Sequence, residues 1–477
     1  MAIRFGQVVL LAAALLLPAS PSYGRETVND VTKLNPIVVA QVQTPRTAKE
    51  VAQLVRDHTG PVCIGGARHS QGGQIATEGC LFLDMRSMNR VLKLDLKSRR
   101  ITVEAGITWR KIQETIDPHD LSLKIMQSYS NFTVGGSLSV NAHGRYVGEG
   151  PIVNAVESFV IVLADGSIVE ASRTHNRDIF DAAIGGYGGI GVIVSATLDL
   201  VPNTKIRRVV DTMSVKNYRS YFFSRIRNSR DAVMHNADIY PPDYRQLSAV
   251  TWFKTDESVT VTDRLAPVGT PSRMQRFLMG WLSRGPLGKQ IREYLYDPVQ
   301  YSSGSVEWRN YEASYDASEL EPASRDRYTY ALQEYFVPTS RFEMFEHKMA
   351  KILRASDAGV LNVSIRHANA DKETFLSWAP QEMFSFVIYV EEGTKPEEQS
   401  AVRKWTAALI AEALSEGGTY YLPYQIVASR AQFLRAYPNA PKFFELKARL
   451  DPQCKFRNRL WDSYDDAAAC HPKTKPN

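Results

Sequence analysis

Cysteine is scarce in this chain: Cys63, Cys80, Cys454 and Cys470 are the four in 477 residues. None stands in a C-x-x-C pair, which argues against a zinc site or any other metal centre built on thiolates. An even number leaves disulfides open, with three connectivities. A Cys63–Cys80 bridge would clip the segment between them, and Cys454–Cys470 would pin the C-terminus. Runs of one charge are also missing. Lys and Arg number 57 against 51 Asp and Glu, so the net charge of +6 comes from interspersed residues. With no basic stripe or tail, nucleic-acid binding has no support. After residue 24 no apolar run resembles a membrane span, and there is no internal repeat or low-complexity tract. What remains, at 44% hydrophobic and 23% charged residues, is a globular chain long enough for two or three domains.

The N-terminus is different in kind. Arg4 precedes the apolar run Val8 to Leu17, and small residues follow through Gly24. That is the order of a secretory signal, and the run is short for a bilayer crossing. The expectation is a signal peptide over residues 1–24 and an exported, periplasmic or secreted protein with no stable membrane span after cleavage. The other reading is an uncleaved N-terminal anchor.

From Val38 to Leu200 short apolar runs alternate with Gly-rich turns. Val62–Ile64, Leu81–Asp84, Val91–Leu96, Ile101–Glu104, Ser158–Leu163 and Gly191–Leu200 read as strands. Thr47–His58 and Trp109–Ile116 read as helices. Val201-Pro202-Asn203 marks a boundary. Beyond it aromatics become dense, and strand-like runs such as Phe384–Glu391 alternate with longer helices such as Ser400–Leu414. This pattern predicts an α+β layer with a sheet covered by helices. Thr270 to Ser324, punctuated by Pro, Gly and Ser, reads as a long excursion.

Three glycine-rich stretches stand out. Ile64-Gly65-Gly66-Ala67-Arg68-His69-Ser70-Gln71-Gly72-Gly73-Gln74 follows an apolar run. Glycines let a backbone turn sharply and approach a ligand closely, and a row of free N–H groups forms a nest for phosphate. Taken alone, the stretch also suits a flexible surface hairpin carrying an incidental histidine. The second stretch is Thr133-Val134-Gly135-Gly136-Ser137-Leu138-Ser139-Val140-Asn141-Ala142-His143-Gly144. The third runs from Asp178 to Ile193 through Gly185-Gly186-Tyr187-Gly188-Gly189-Ile190-Gly191.

Three such turns between strands, in this order within one region, resemble the FAD-binding domain of the vanillyl-alcohol oxidase, or PCMH-type, flavoprotein family. Unlike a dinucleotide fingerprint, successive loops rather than one G-x-G-x-x-G serve the pyrophosphate. Ala431-Gln432-Phe433, Ala436-Tyr437-Pro438, Phe444 to Lys447, Leu450-Asp451-Pro452 and Phe456-Arg457-Asn458 resemble the C-terminal segment of sugar-1,4-lactone oxidases, including those acting on D-arabinono-1,4-lactone. Val363-Ser364-Ile365-Arg366 resembles their Glu-Val-Arg strand. The resemblance implies an α+β fold: a two-subdomain FAD-binding domain over 31–203, a substrate cap with an antiparallel sheet over 204–425, and a segment, 426–477, that returns to the FAD domain.

It also implies FAD as cofactor. In relatives with a Gly-x-Gly-His-Ser loop the histidine is joined covalently to the flavin 8α-methyl carbon, which assigns that role to His69. A non-covalent flavin with His69 lining the ring, or a structural histidine, are the other readings. Gly65, Gly66, Ala67, Arg68 and Ser70 complete the first cofactor loop. Arg68, where the pattern often has glycine, can reach the pyrophosphate or face solvent. Gly135, Gly136 and Ser137 are expected at the pyrophosphate, Asn141 and Ala142 at the edge of the isoalloxazine, and Ile193 near the adenine. His143 edges the ring or is a satisfied structural histidine.

The family moves a hydride from carbon to flavin N5, with oxygen or another acceptor reoxidising the cofactor. Arg366 is expected beside flavin N1 and the C2 carbonyl, stabilising negative charge. Two lactone-oxidase features are absent: their glutamate is Ser364 here, and their His-Trp-x-Lys is Tyr421-Leu422-Pro423-Tyr424. Tyr424 is the substitute polarising or proton-accepting group. Cytokinin dehydrogenases are the other close comparison, but their catalytic aspartate would fall near Ser128, and no acid occurs from Lys124 to Arg145. Oxidation of a small hydroxyl compound that is sugar-like, a lactone, an alditol or another alcohol is therefore the expected activity. An amine dehydrogenase and a non-catalytic exported flavin-binding protein are the alternatives.

Overall fold

The computed structural model describes residues 25–268, 304–317, 322, 324–356 and 358–465. The proposed signal peptide, most of the 270–324 excursion and Cys470 lie outside the described residues.

The first unit starts from parallel pairing. Gln41–Gln43, Leu81–Asp84 and Val62–Gly65 form a three-stranded parallel sheet with the Leu81–Asp84 strand in the centre. The crossover from Gln43 to Val62 carries the helix Ala48–Asp57. Thr47 caps that helix by accepting from the Glu50 N–H, and Val51, Ala52 and Val55 form its buried stripe. Cys63 and Cys80 are joined in a disulfide that closes the first glycine loop, residues 64–79, at its base. Cys454 is also disulfide-bonded.

A six-stranded antiparallel sheet follows, built on the long strand Val192–Pro202, which pairs with Val156–Val162, Arg100–Glu104 and Leu121–Leu123. The helix Trp109–Ile116 has the limits expected from sequence, and Thr108 caps it. The Val192–Pro202 strand ends two residues before Lys205–Ser214, which belongs to a different sheet.

That third sheet has eight strands and is antiparallel throughout. Its strands all fall between Lys205 and Tyr420, with Ala232–Ile239, Val360–Ala368, Met383–Gly393 and Tyr328–Pro338 side by side in that order. The helices Phe342–Ala355 and Pro396–Ser415 cover one face and bury Phe345, Met349, Trp405 and Leu409. The other face is left for the cavity described below. The Ser400–Leu414 helix expected from sequence begins four residues earlier, where Pro396 takes the first-turn position that lacks an N–H partner anyway.

After Tyr420 the chain returns to the first unit. Val62 donates to Lys455 O at 2.6 Å and pairs with Phe456 in an isolated parallel bridge. Lys447 and Asp451, both almost fully buried, form an ion pair of 3.0 Å. The Lys447 ammonium also donates to Gly189 O and Phe456 O, so the third glycine stretch is clamped from behind. Among the described residues no helix is long and apolar enough to cross a membrane, and no group of three or more His, Cys, Asp or Glu side chains is arranged to hold a metal ion.

Candidate active site

A cavity of about 740 Å³ lies between the glycine loops and the free face of the eight-stranded sheet. Gly66 to Gln71 line it from the first loop, Gly135, Gly136, Ser137 and Ser139 from the second, and Tyr187, Gly188, Gly191 and Ile193 from the third. Its other wall follows from the period of two in a strand. Leu332, Glu334, Asn362, Ser364, Arg366, Val387 and Tyr389 alternate along three neighbouring strands and all face the cavity.

The glycines shape the loop side. A Cβ on Gly66 would collide with Thr133 Oγ1, so only glycine lets the first and second loops close on each other. At Gly136 a Cβ would meet only Thr133 Oγ1, at 3.1 Å, and would stand in the cavity. His69 stacks on Phe132 at 4.0 Å between ring centroids and lines the cavity. Ser137 Oγ donates to Gln127 Oε1 at 2.7 Å.

The loop is also tied to the opposite wall. Gln71 donates its N–H to Pro423 O and accepts at Oε1 from the Leu332 N–H, both at 2.7 Å. Gln74 Nε2 donates to Leu422 O and Tyr424 O, again at 2.7 Å. At Gly72 a Cβ would sit 2.5 Å from Tyr424 O. These two buried glutamines were not singled out by sequence, since amides in a loop read as solvent-facing.

On the sheet side one buried carboxylate organises four neighbours. Glu334 Oε1 lies 2.7 Å from His143 Nε2 and accepts from Ser385 Oγ, while Oε2 accepts from the Tyr424 hydroxyl at 3.3 Å. Burial pushes the Glu334 carboxyl up, but the charges of His143 and Arg366 and the hydrogen bonds from His143 and Ser385 outweigh it. The net result lies below the usual carboxylate value of 4.5. Ionised Glu334 needs a donor from His143, so Nε2 carries the hydrogen. Glu334 Oε2, with one long hydrogen bond, keeps acceptor capacity towards the cavity. No sequence motif marked Glu334: in the strand Tyr328–Pro338 it is one polar residue among alternating ones. His143 itself lines the cavity, and its ring meets this carboxylate at 2.7 Å.

Several expected positions need correction. Asn141 and Ala142 are buried but lie outside the cavity wall. Asn141, at φ +47°, donates to Asp371 Oδ2 and accepts from the Val153 N–H, a brace between loops. Gly65 also lies behind the wall, where a Cβ would run into the Phe82 ring. Arg68 lines the cavity; its guanidinium pairs with Asp84 at 2.8 Å and lies over Phe82 at 4.8 Å, while its Nε is buried without a partner among the described residues. Tyr424 stands on the wall, and its hydroxyl reaches Glu334, which no motif had marked. Burial, and then the neighbouring Glu334 charge, push its hydroxyl well above 10, so at neutral pH it can only donate the proton it holds. Arg366 does reach the cavity, with Nε buried and unpartnered among the described residues. Ser128 Oγ is another buried cavity-wall atom without a described partner.

A family model described as "FAD binding domain" matches residues 36–172, which hold the first two glycine loops. Over 424 residues the chain is 24% identical to the L-gulonolactone oxidase of Mus musculus, covering 86% of this chain and 91% of the relative. It is 31% identical over 164 residues to the alditol oxidase of a Streptomyces species, covering 34% and 39%. Cytokinin dehydrogenase 7 of Oryza sativa subsp. japonica is 27% identical over 216 residues, covering 42% and 40%. Residues 36–172 match an FAD-binding domain, and the chain as a whole is similar to PCMH-type FAD-binding oxidoreductases. A PCMH-type flavin fits the residues present. The cradle at Gly136 takes a group that a side chain would displace, and the orphaned Arg366 Nε and Ser128 Oγ offer polar partners inside the cavity.

Proposed function

We propose that the protein is an exported FAD-dependent oxidoreductase that oxidises a CH–OH group of a small sugar-like or other polyhydroxylated compound. The observation that carries this reading is Glu334: a buried carboxylate, held ionised, with Oε2 open to a cavity whose other wall holds the flavin loops. Bound FAD would supply a hydride acceptor at N5, reoxidised by oxygen or another acceptor. The protein supplies the remainder. Glu334 Oε2 takes the hydroxyl proton as general base. Arg366 presents a fixed cation and a spare N–H to negative charge that builds up beside it. Tyr424 and Ser385 hold the carboxylate in place. The relatives named for a lactone and an alditol support a hydroxyl rather than an amine. Ser364 in place of the lactone oxidases' glutamate argues against an aldonolactone as the substrate.

His69 is the proposed point of covalent attachment, through the flavin 8α-methyl carbon. Acid-precipitated protein is expected to stay yellow and to yield a peptide containing His69 with the added FAD mass. Colour released wholly into the supernatant removes this link without touching the fold. The activity is tested by anaerobic bleaching of the flavin with alditols, sugar acids, lactones, simple alcohols and adenine-type amines. Bleaching by an alcohol and its loss in Glu334→Gln are expected. Bleaching by amines alone, or by none of the panel, would sink the reading.

A further inference from the structure

The free face of the sheet carries a second polar group away from Glu334. Strand register places Glu334 opposite Val387, Val387 opposite Ser364, and Ser364 opposite Asp238, a row across four strands. Three strand spacings put Asp238 about 14 Å from Glu334 along the sheet. Asp238, only 4% exposed, lines the cavity, as do Asn236, Asn362 and Ser364. Its Oδ1 accepts from Asn362 Nδ2 at 2.9 Å and its Oδ2 from Asn236 Nδ2 at 3.0 Å. Each carboxylate oxygen has a further lone pair, and the amides keep acceptor oxygens and a second hydrogen. Two cations act on Asp238: Arg366, already assigned to the reacting end, and Arg145, which pairs with Glu312 at 2.8 Å and lies over Trp252 at 4.9 Å. Such a wall suits neutral hydroxyls, which donate to Asp238 and accept from an amide, while the Ser364 hydroxyl is already turned to Asp238. Outside this row, Tyr389 flanks Asn362 in register and adds a half-buried ring to the wall.

We infer that Asp238, gripped by Asn236 and Asn362, determines specificity by binding substrate hydroxyls remote from the carbon that is oxidised. This selects extended neutral polyhydroxylated molecules over short ones. The inference rests on the reading of Glu334 as the base, which fixes where the reacting carbon lies.

The test uses the flavin-loaded protein and a ladder of alditols: glycerol, erythritol, xylitol and sorbitol. In the wild type, kcat/KM for anaerobic reduction is expected to rise about a hundredfold from glycerol to xylitol, the size of giving one or two buried polar groups a partner. Asp238→Asn, which keeps the shape, should lose at least roughly tenfold more on xylitol than on glycerol. A merely structural residue would lower both equally. Xylitol should also raise the melting temperature of the wild type with concentration, as any ligand of the folded state does, and not that of Asp238→Asn. A flat ladder in the wild type, equal losses in the variant, or no stabilisation by xylitol overturns the subsite. If xylitol stabilises through Asp238 while no alditol bleaches the flavin, the subsite stands and the proposed oxidation of CH–OH falls.

Discussion

At the scale of single residues, the proposed function divides the work between Glu334 and Arg366, and their variants should separate. Glu334→Gln keeps volume and one acceptor but removes the base, so anaerobic reduction by a good alcohol should slow by roughly 10²–10⁴. Arg366→Ala should slow it about a hundredfold or more while flavin content holds, and Arg366→Lys should recover part of that. The pH profile gives a finer test. Glu334 must be ionised to act, and its folded value is depressed, so the acid limb of the rate should lie below pH 4.5. His143→Gln removes a lowering partner, so the limb should move towards higher pH. A limb that stays where it was would show that the histidine does not set this charge. Arg366 was legible in the sequence because a short motif carries it. Glu334 was not, because its function arises from a neighbour 191 positions earlier in the chain, His143. Tyr424 was legible as a place; its burial speaks against the proton-accepting half of the expected role and leaves the polarising half, and no sequence reports how deeply a phenol will be buried.

Among elements, the first glycine loop is constrained far more tightly than four glycines suggest. The disulfide closes a 17-residue span at its base, a constraint worth about 3 kcal/mol on loop-closure grounds. Gln71 and Gln74 tie its far end to the Tyr424 segment and to the strand that bears Glu334. Gln74→Met preserves packing and removes both donations. It should reduce the rate of flavin reduction more than it reduces flavin content, since the loop stays clipped while Tyr424 loses its anchor. Equal loss of both would assign Gln74 to cofactor retention alone. The strands and helices around this loop were readable from alternation, Leu81–Asp84 and Trp109–Ile116 to the residue. The glutamine ties were not, because they join segments some 350 residues apart.

For the whole molecule, three deeply placed glutamates give stability an unusual dependence on pH. Burial pushes Glu312, Glu346 and Glu392 up to about 7. Between their unfolded value near 4.5 and about 7 the folded state binds more protons than the unfolded one, so stability falls as pH rises through that window. Burial of His235, pushed down to about 3, gives the opposite slope over part of this range, so the variant is the test: Glu392→Gln should lose less melting temperature than the wild type between pH 5 and pH 7.5. An unchanged difference between the two pH values would contradict the burial of Glu392. The α+β architecture was legible because the glycine stretches and the aromatic-rich sheet differ in composition. The facing of one on the other was not, since nothing local encodes which side of a strand meets a distant loop. One consequence concerns synthesis. The Val62 backbone leans on Lys455 and Phe456, so the edge strand beneath the cofactor loop waits for residues made almost 400 positions later. A nascent chain that has made all three glycine stretches therefore still lacks part of the support beneath the first of them until residues 455 and 456 are in place.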